Sequence, residues 1–329
     1  MLRKHYLLLS FLIAAALVVS CEKEKDPINE AEVLATYLES TDSPLMKDFV
    51  ATDLPTIIAA DEVQTLNATG QVYIIDIRSA ADFAAGHIAN ANNVALADIV
   101  DHIKDVNLTS YTKVAVVCYT GQTSGFAVSL LRLLGYDKVY SLKWGMCSWN
   151  NAFASRWNSN MSNTYATQFT ATATEKAAKG ELPVLTTGKT TGQEILEARV
   201  EAVLTEGYTP ASVTSATLFG NLAGYYIVNY WPAAQYTDPG HIPGAVQYTP
   251  KESMKLAADL KTLPTDKPVA VYCYTGQTSS FLVAYLRLLG YDAKSVLYGT
   301  NGMIYDQMVT KNMTVFNANQ IKGYSYVSK

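Results

Sequence analysis

Two apolar runs, Val114-Ala115-Val116-Val117 and Val269-Ala270-Val271-Tyr272, are each followed by the same short series of small and polar residues and then by an apolar-periodic segment that ends in glycine. The pattern predicts strand, tight loop and helix. Unbroken apolar runs suit strands covered on both faces, and apolar residues at i, i+4, i+7 and i+8 form one helical stripe. The first loop reads Cys118-Tyr119-Thr120-Gly121-Gln122-Thr123-Ser124, and its helix stops at Gly135. The second reads Cys273-Tyr274-Thr275-Gly276-Gln277-Thr278-Ser279 and stops at Gly290. Through the Gly-Tyr-Asp beyond each helix, the copies differ only at Gly125/Ser280, Ala127/Leu282, Ser129/Ala284 and Leu130/Tyr285. Such self-similarity marks a duplicated module. Phe126, Leu130, Leu133 and Leu134, and likewise Phe281, Tyr285, Leu288 and Leu289, are expected to face the sheet as core.

Each module opens with its own packing helix. Asn29-x-x-Glu32 precedes Val33, Leu34, Tyr37 and Leu38, and Thr191-x-x-Glu194 precedes Leu196, Val200, Val203 and Leu204; both have capping-box spacing and one apolar face. Apolar strand runs alternating with helical segments indicate an α/β chain of two tandem domains, each a mainly parallel sheet with helices on both faces. The boundaries expected are 30–158 and 191–318, joined by a Thr-, Ala- and Lys-rich connection over 159–190 and followed by a polar tail, 319–329.

Composition narrows the function classes. At 329 residues, 49% apolar and 16% charged, the chain can build two cores, and a net charge of -4 without a basic stripe gives no reason to expect nucleic acid. The amino terminus is expected to be a leader, with an uncleaved anchor as the alternative. Leu2-Arg3-Lys4-His5 is a positive start, and the apolar stretch from Tyr6 to Val19 is short for a membrane span. Val18-Val19-Ser20-Cys21 resembles the lipobox of bacterial lipoproteins, which implies a signal peptide over 1–20, a lipidated Cys21 as first mature residue, a charged tether over 21–29 and attachment to the cell envelope.

With Cys21 spent on lipid, Cys118, Cys147 and Cys273 remain, an odd count that argues for free thiols over a disulfide framework. A cysteine at a strand end, just before a helix amino terminus, lies where unpaired N–H groups and the positive end of the helix dipole converge. That field favours thiolate, the attacking form. Gly121 and Gly276 let each loop curl its N–H groups inward as an anion cradle. Cys147, matched to Ile304 in the second copy, is expected to be core filler. No metal or cofactor is called for.

Upstream of the loops lie Tyr73-Ile74-Ile75-Asp76-Ile77-Arg78 with Asp82-Phe83-Ala84-Ala85-Gly86-His87-Ile88, and Tyr226-Ile227-Val228-Asn229-Tyr230-Trp231 with Gln235-Tyr236 and Gly240-His241-Ile242. Together with the cysteine loops these resemble the rhodanese family, sulfurtransferases that carry sulfur as a cysteine persulfide. The resemblance implies Cys118 and Cys273 as catalytic nucleophiles. It makes Tyr119 through Ser124 and Tyr274 through Ser279 the substrate-binding loops, for a small sulfane donor such as thiosulfate and a thiol or cyanide acceptor. Asp76, Arg78 and Asp82 are expected to form a structural charge cluster that the second copy replaces by Asn229, Trp231 and Gln235, and His87 and His241 to be structural hydrogen-bonding residues. The loops contain no Arg or Lys, which leaves the donor open, with Lys143 a candidate for charge. A phosphatase would need arginine where Ser124 and Ser279 stand. The other class to weigh is a non-catalytic binding or redox-sensing module at the envelope, with no protein partner specified.

Cys21→Ala is expected to abolish lipidation and move the protein from membranes to the soluble fraction, checked by fractionation and intact mass; a membrane-bound variant of lipidated mass would refute the leader assignment.

Overall fold

The computed structural model describes residues 28–328, so the leader, Cys21 and the tether through residue 27 lie outside the described residues. β1 (Ile57–Ile58), β2 (Val72–Asp76), β3 (Ala91–Asn93), β4 (Lys113–Val117) and β5 (Val139–Leu142) form one sheet in the order β1-β5-β4-β2-β3. β6 (Ser212–Val213), β7 (Tyr226–Asn229), β8 (Val246–Gln247), β9 (Val269–Tyr272) and β10 (Ala293–Val296) repeat it as β6-β10-β9-β7-β8. All pairings in both sheets are parallel. β4 and β9 are central, and the side chains of Val114–Val117 and Val269–Tyr272 are all buried, as strands covered on both faces require.

Both opening helices are capped as their sequences indicate. Asn29 accepts the Glu32 N–H at 3.1 Å ahead of the helix Glu30–Leu38. Thr191 accepts the Glu194 N–H at 3.3 Å and donates to the Glu194 carboxylate at 2.7 Å ahead of Gly192–Glu206. These two helices pack against each other across the repeats.

The helices that follow the cysteine loops, Gln122–Leu133 and Gln277–Leu288, do the same. The expectation that their apolar stripes face only their own sheets is therefore corrected. Phe281 lies against Gly125, where an added Cβ would come within 3.0 Å of its ring, and Ser129 Oγ donates to the Phe281 carbonyl at 2.9 Å. Tyr285 stacks with Phe49 of the first repeat at 6.2 Å, and Phe126 meets Tyr208 of the second at 5.4 Å. Periodicity identified a buried stripe, but Phe126, Phe281 and Tyr285 of that stripe meet the other repeat, and nearly every other residue of the two helices is buried as well. One hydrophobic cluster runs through both repeats as a result.

The connection and the tail are straps that cross between repeats, which corrects the reading of the tail as a plain polar end. Thr170 pairs with His241 through reciprocal 2.9 Å backbone bonds, and Thr174 bridges Val246. The tail answers on the first repeat: Val327 pairs with His87 at 2.9 and 3.0 Å, and Tyr324 packs on Trp149 at 5.0 Å. Phe316 is fully buried against Trp144 and Trp157. Each repeat thus closes with a segment from beyond the other.

Candidate active site at the two cysteine loops

Cys118 follows β4 directly, and the helix Gln122–Leu133 begins four residues on, after Gly121 at φ +82°. That left-handed turn, cheap only for glycine, aims the Gly121 and Ser124 N–H groups at Cys118 Sγ, at 3.2 and 3.3 Å. Ser124 Oγ lies 3.3 Å from the sulfur and 2.8 Å from Ser141 Oγ. In the second repeat Gly276 turns at φ +75°, the Ser279 N–H meets Cys273 Sγ at 3.3 Å, Ser279 Oγ lies 3.5 Å away, and Ser295 stands where Ser141 does. Inward-facing N–H and hydroxyl groups of this kind form a concavity that can accept an anionic group.

The loops are also braced across the repeats. Gln277 Oε1 accepts the Trp144 N–H at 2.9 Å, and Gln122 Oε1 accepts the Tyr298 N–H at 2.7 Å. Trp144 and Tyr298 both carry positive φ, +65° and +62°, a strained choice for aromatic residues that these bonds hold in place. Each glutamine lies against the opposite loop glycine, where a Cβ would be 2.3 Å from its amide oxygen. Gln122 Nε2 reaches Thr120 Oγ1 at 3.0 Å, and Thr275 Oγ1 accepts the Gln277 N–H at 3.2 Å. The two glutamines therefore act as braces more than as ligand contacts.

A cavity of about 310 Å³ opens at Cys118, lined by Tyr119, Thr120, Gln122 and Thr123 and by Tyr208 and Tyr298 of the other repeat. Its walls also hold Arg78 and Arg156. Arg78 is buried, paired with Asp76 at 2.6 Å and bonded to the Gly86 carbonyl at 2.7 Å, while its Nη1 has no hydrogen-bond partner. Arg156 is exposed and sits 3.8 Å above the Tyr119 ring, on which Arg78 packs at 5.0 Å. Asp82 is not paired with Arg78 as a cluster of three would require. It accepts the Tyr119 hydroxyl at 2.6 Å and the Ser79 hydroxyl at 2.7 Å, and these bonds hold its carboxyl below the usual range. Burial first, and then Asp82, raise the Tyr119 phenol. Arg156, Tyr208 and Tyr298 had no sequence signal, since no motif links them to the loop. Lys143, the sequence candidate for charge, rests on the Trp144 ring at 5.5 Å and is not among the residues lining the cavity.

In the second repeat, Trp231 stacks on Tyr274 at 5.3 Å as Arg78 packs on Tyr119, and Gln235 accepts the Tyr274 hydroxyl as Asp82 accepts that of Tyr119. Asn229 donates to the Tyr272 hydroxyl at 2.8 Å. Thr278 is half-buried beside this loop. His87 Nδ1 meets the Phe83 carbonyl and His241 Nδ1 the Tyr236 carbonyl, each at 2.7 Å, and neither histidine lines the cavity. Cys147 is buried and donates to the Phe153 carbonyl at 3.0 Å; burial pushes its thiol up to about 12. Its counterpart is Asn301, not Ile304, because the Cys147 and Asn301 N–H groups make the same 3.1 Å bond to Tyr119 and Tyr274.

The rhodanese-like domain family matches residues 59–152 and 221–303, which hold the two loops. The thiosulfate sulfurtransferase GlpE of Pseudomonas fluorescens (strain SBW25) is 35% identical over 96 residues, 29% of this chain and 85% of the relative. GlpE of Pseudomonas putida (strain GB-1) is 38% identical over 80 residues, 24% of this chain and 71% of the relative. The crystal structure of SseA from Escherichia coli, a 3-mercaptopyruvate sulfotransferase, aligns with 76% of this chain and 98% of its own at 18% identity and a TM-score of 0.28.

Arg78→Ala leaves Asp76 buried without its cation and is expected to cost about 3–5 kcal/mol, read from urea unfolding, with Arg78→Lys recovering part of the loss. Unchanged stability would show that the pair is not structural.

Proposed function

We propose a sulfurtransferase function, carried by persulfides on the loop cysteines, for this chain, which belongs to the rhodanese-like domain family. The observation that carries the reading is Cys118 Sγ, held under two loop N–H groups at a cavity whose walls bear Arg78 and Arg156. A nucleophilic sulfur and guanidinium groups around one cavity suit an anionic sulfane donor, and thiosulfate is the donor in the name of the GlpE relatives.

Cys118 thiolate attacks the outer sulfur of the donor. A sulfur–sulfur bond forms at Cys118 as the donor's own breaks, and sulfite departs with the bonding pair. The Gly121 and Ser124 N–H groups that meet Cys118 Sγ help to hold the remaining Cys-S-S⁻ in the loop. Arg156 receives the donor's oxyanion, and the buried Arg78 guanidinium adds positive charge behind it. A thiolate or cyanide then attacks the terminal sulfur and returns Cys118 as thiolate. Cys273, in the same loop, takes the same role in the second repeat. No cofactor enters these steps, and Cys21 anchors the protein by lipid to the cell envelope.

Thiosulfate treatment followed by peptide-resolved mass analysis is expected to place one dithiothreitol-reversible sulfur atom on Cys118 and one on Cys273, and none on Cys147. Arg156→Ala in a Cys273→Ser protein is expected to raise the thiosulfate KM about fivefold without loss of stability, the scale of an exposed contact of ~1 kcal/mol. Sulfur on neither loop cysteine would sink the reading and leave a binding or redox-sensing module.

A further inference from the structure

The two loops are identical in sequence, yet their sulfurs end different hydroxyl networks. Cys273 Sγ lies 3.5 Å from Ser279 Oγ, which lies 2.8 Å from Ser295 Oγ; Ser295 lies 3.2 Å from Ser280 Oγ, and Ser280 lies 2.6 Å from the Tyr208 hydroxyl. In the first repeat the chain passes from Cys118 to Ser124 and Ser141 and meets the Gly121 carbonyl at 3.4 Å. The difference arises at two positions: Gly125 against Ser280, one of the four at which the repeated segments diverge, and Asp53 against Tyr208, each four residues before the edge-strand residue that pairs with the network serine.

We infer that Ser280 and Tyr208 are positioning residues that aim the Ser279 hydroxyl at Cys273 Sγ. Each hydroxyl has one proton to give. In the first repeat the Ser141 proton is divided between Ser124 Oγ and the Gly121 carbonyl. In the second, Ser295 makes the equivalent contact to the Gly276 carbonyl at 3.3 Å, but Ser280 donates to that carbonyl from 2.6 Å, and this nearer donor turns the Ser295 proton toward Ser279. The Cys273 thiol donates to Ser279 Oγ; in the thiolate form the bond reverses, and Ser279 gives its own proton to the sulfur. The Tyr208 phenol, whose ordinary acidity is suppressed by burial, donates into Ser280 and keeps its lone pair occupied. Linked hydroxyls of this kind polarise one another. The arrangement complements the backbone: Cys118 Sγ receives the Gly121 and Ser124 N–H groups, and Cys273 Sγ that of Ser279.

The inference rests on the loop cysteines being nucleophiles, and alkylation reads that property without any sulfur donor. In a Cys118→Ser protein, the iodoacetamide rate of Cys273 is followed by intact mass from pH 6 to 10. The phenols electrostatically coupled to this sulfur are Tyr208, Tyr230 and Tyr274; burial raises all three, Tyr230 and Tyr274 to about 12, so they stay neutral over the range. Ser280→Gly and Tyr208→Phe are each expected to slow alkylation about three- to tenfold at pH 7 and to recover the parent rate at the alkaline end. Ser280→Gly in a Cys273→Ser protein is expected to leave the Cys118 rate unchanged. Profiles that superimpose on the parent, or a slowing equal at every pH, would overturn the inference. Tyr208→Phe keeps the ring and carries the test alone if Ser280→Gly does not fold. A positive result with no sulfur loading from thiosulfate would reject the sulfurtransferase reading and keep this one.

Discussion

Each cysteine loop is closed by a glutamine from the other repeat, and much of the structure depends on that exchange. Gln122 and Gln277 satisfy the N–H groups of Tyr298 and Trp144, which lie in a backbone conformation that aromatic residues seldom adopt. The exchange is possible only because glycine stands at 121 and 276, leaving room for the opposite amide. It also requires the loop helices to lie side by side from the same end, as the contact of Gly125 with Phe281 and the bond from Ser129 to the Phe281 carbonyl allow. The repeats are therefore two halves of one site-bearing core, stitched by the connection and the tail.

Within that frame the two sites have diverged in charge while keeping their packing. Tryptophan and arginine both offer a flat face to a loop tyrosine, so Trp231 preserves the stack on Tyr274 while the guanidinium is lost. Gln235 preserves the bond to the tyrosine hydroxyl that Asp82 makes in charged form. Trp231 Nε1 and Asn229 Oδ1 stay buried and unpaired, as does Arg78 Nη1, so the same region carries unmet hydrogen-bonding capacity in both repeats. In the first repeat a second guanidinium, that of Arg156, lines the same cavity as Arg78.

Much of this was legible in the sequence because it is local. The strand before each cysteine, the glycine turn and the capped opening helices follow from residue type and short spacing, and the structure has them where the pattern put them. What depended on the other repeat was not legible. The period of the loop helices could not say that Phe281 and Tyr285 would turn toward the first repeat, since a helix buried on two sides has the same apolar stripe as one buried on one. Phe316, at the end of the second domain, and Val327, in the polar tail, have partners, Trp144 and His87, that are far away in sequence. Cys147 was matched to Ile304 because both follow a Gly-Met pair, Gly145-Met146 and Gly302-Met303; backbone bonds to Tyr119 and Tyr274 reveal Asn301 as the partner. Arg156 enters the site from a helix beyond the sheet, Ser155–Asn158, and carries no motif.

The dependence of each loop on the opposite repeat can be measured at a single sulfur. Gln277→Ala, in a Cys273→Ser protein, removes the brace on Trp144 and Gly121 without touching the first repeat. If the loops are one unit, the Gly121 and Ser124 N–H groups lose their alignment and the iodoacetamide rate of Cys118 at pH 7 falls about threefold or more. A Cys118 rate identical to that of the protein with Gln277 in place would contradict the account.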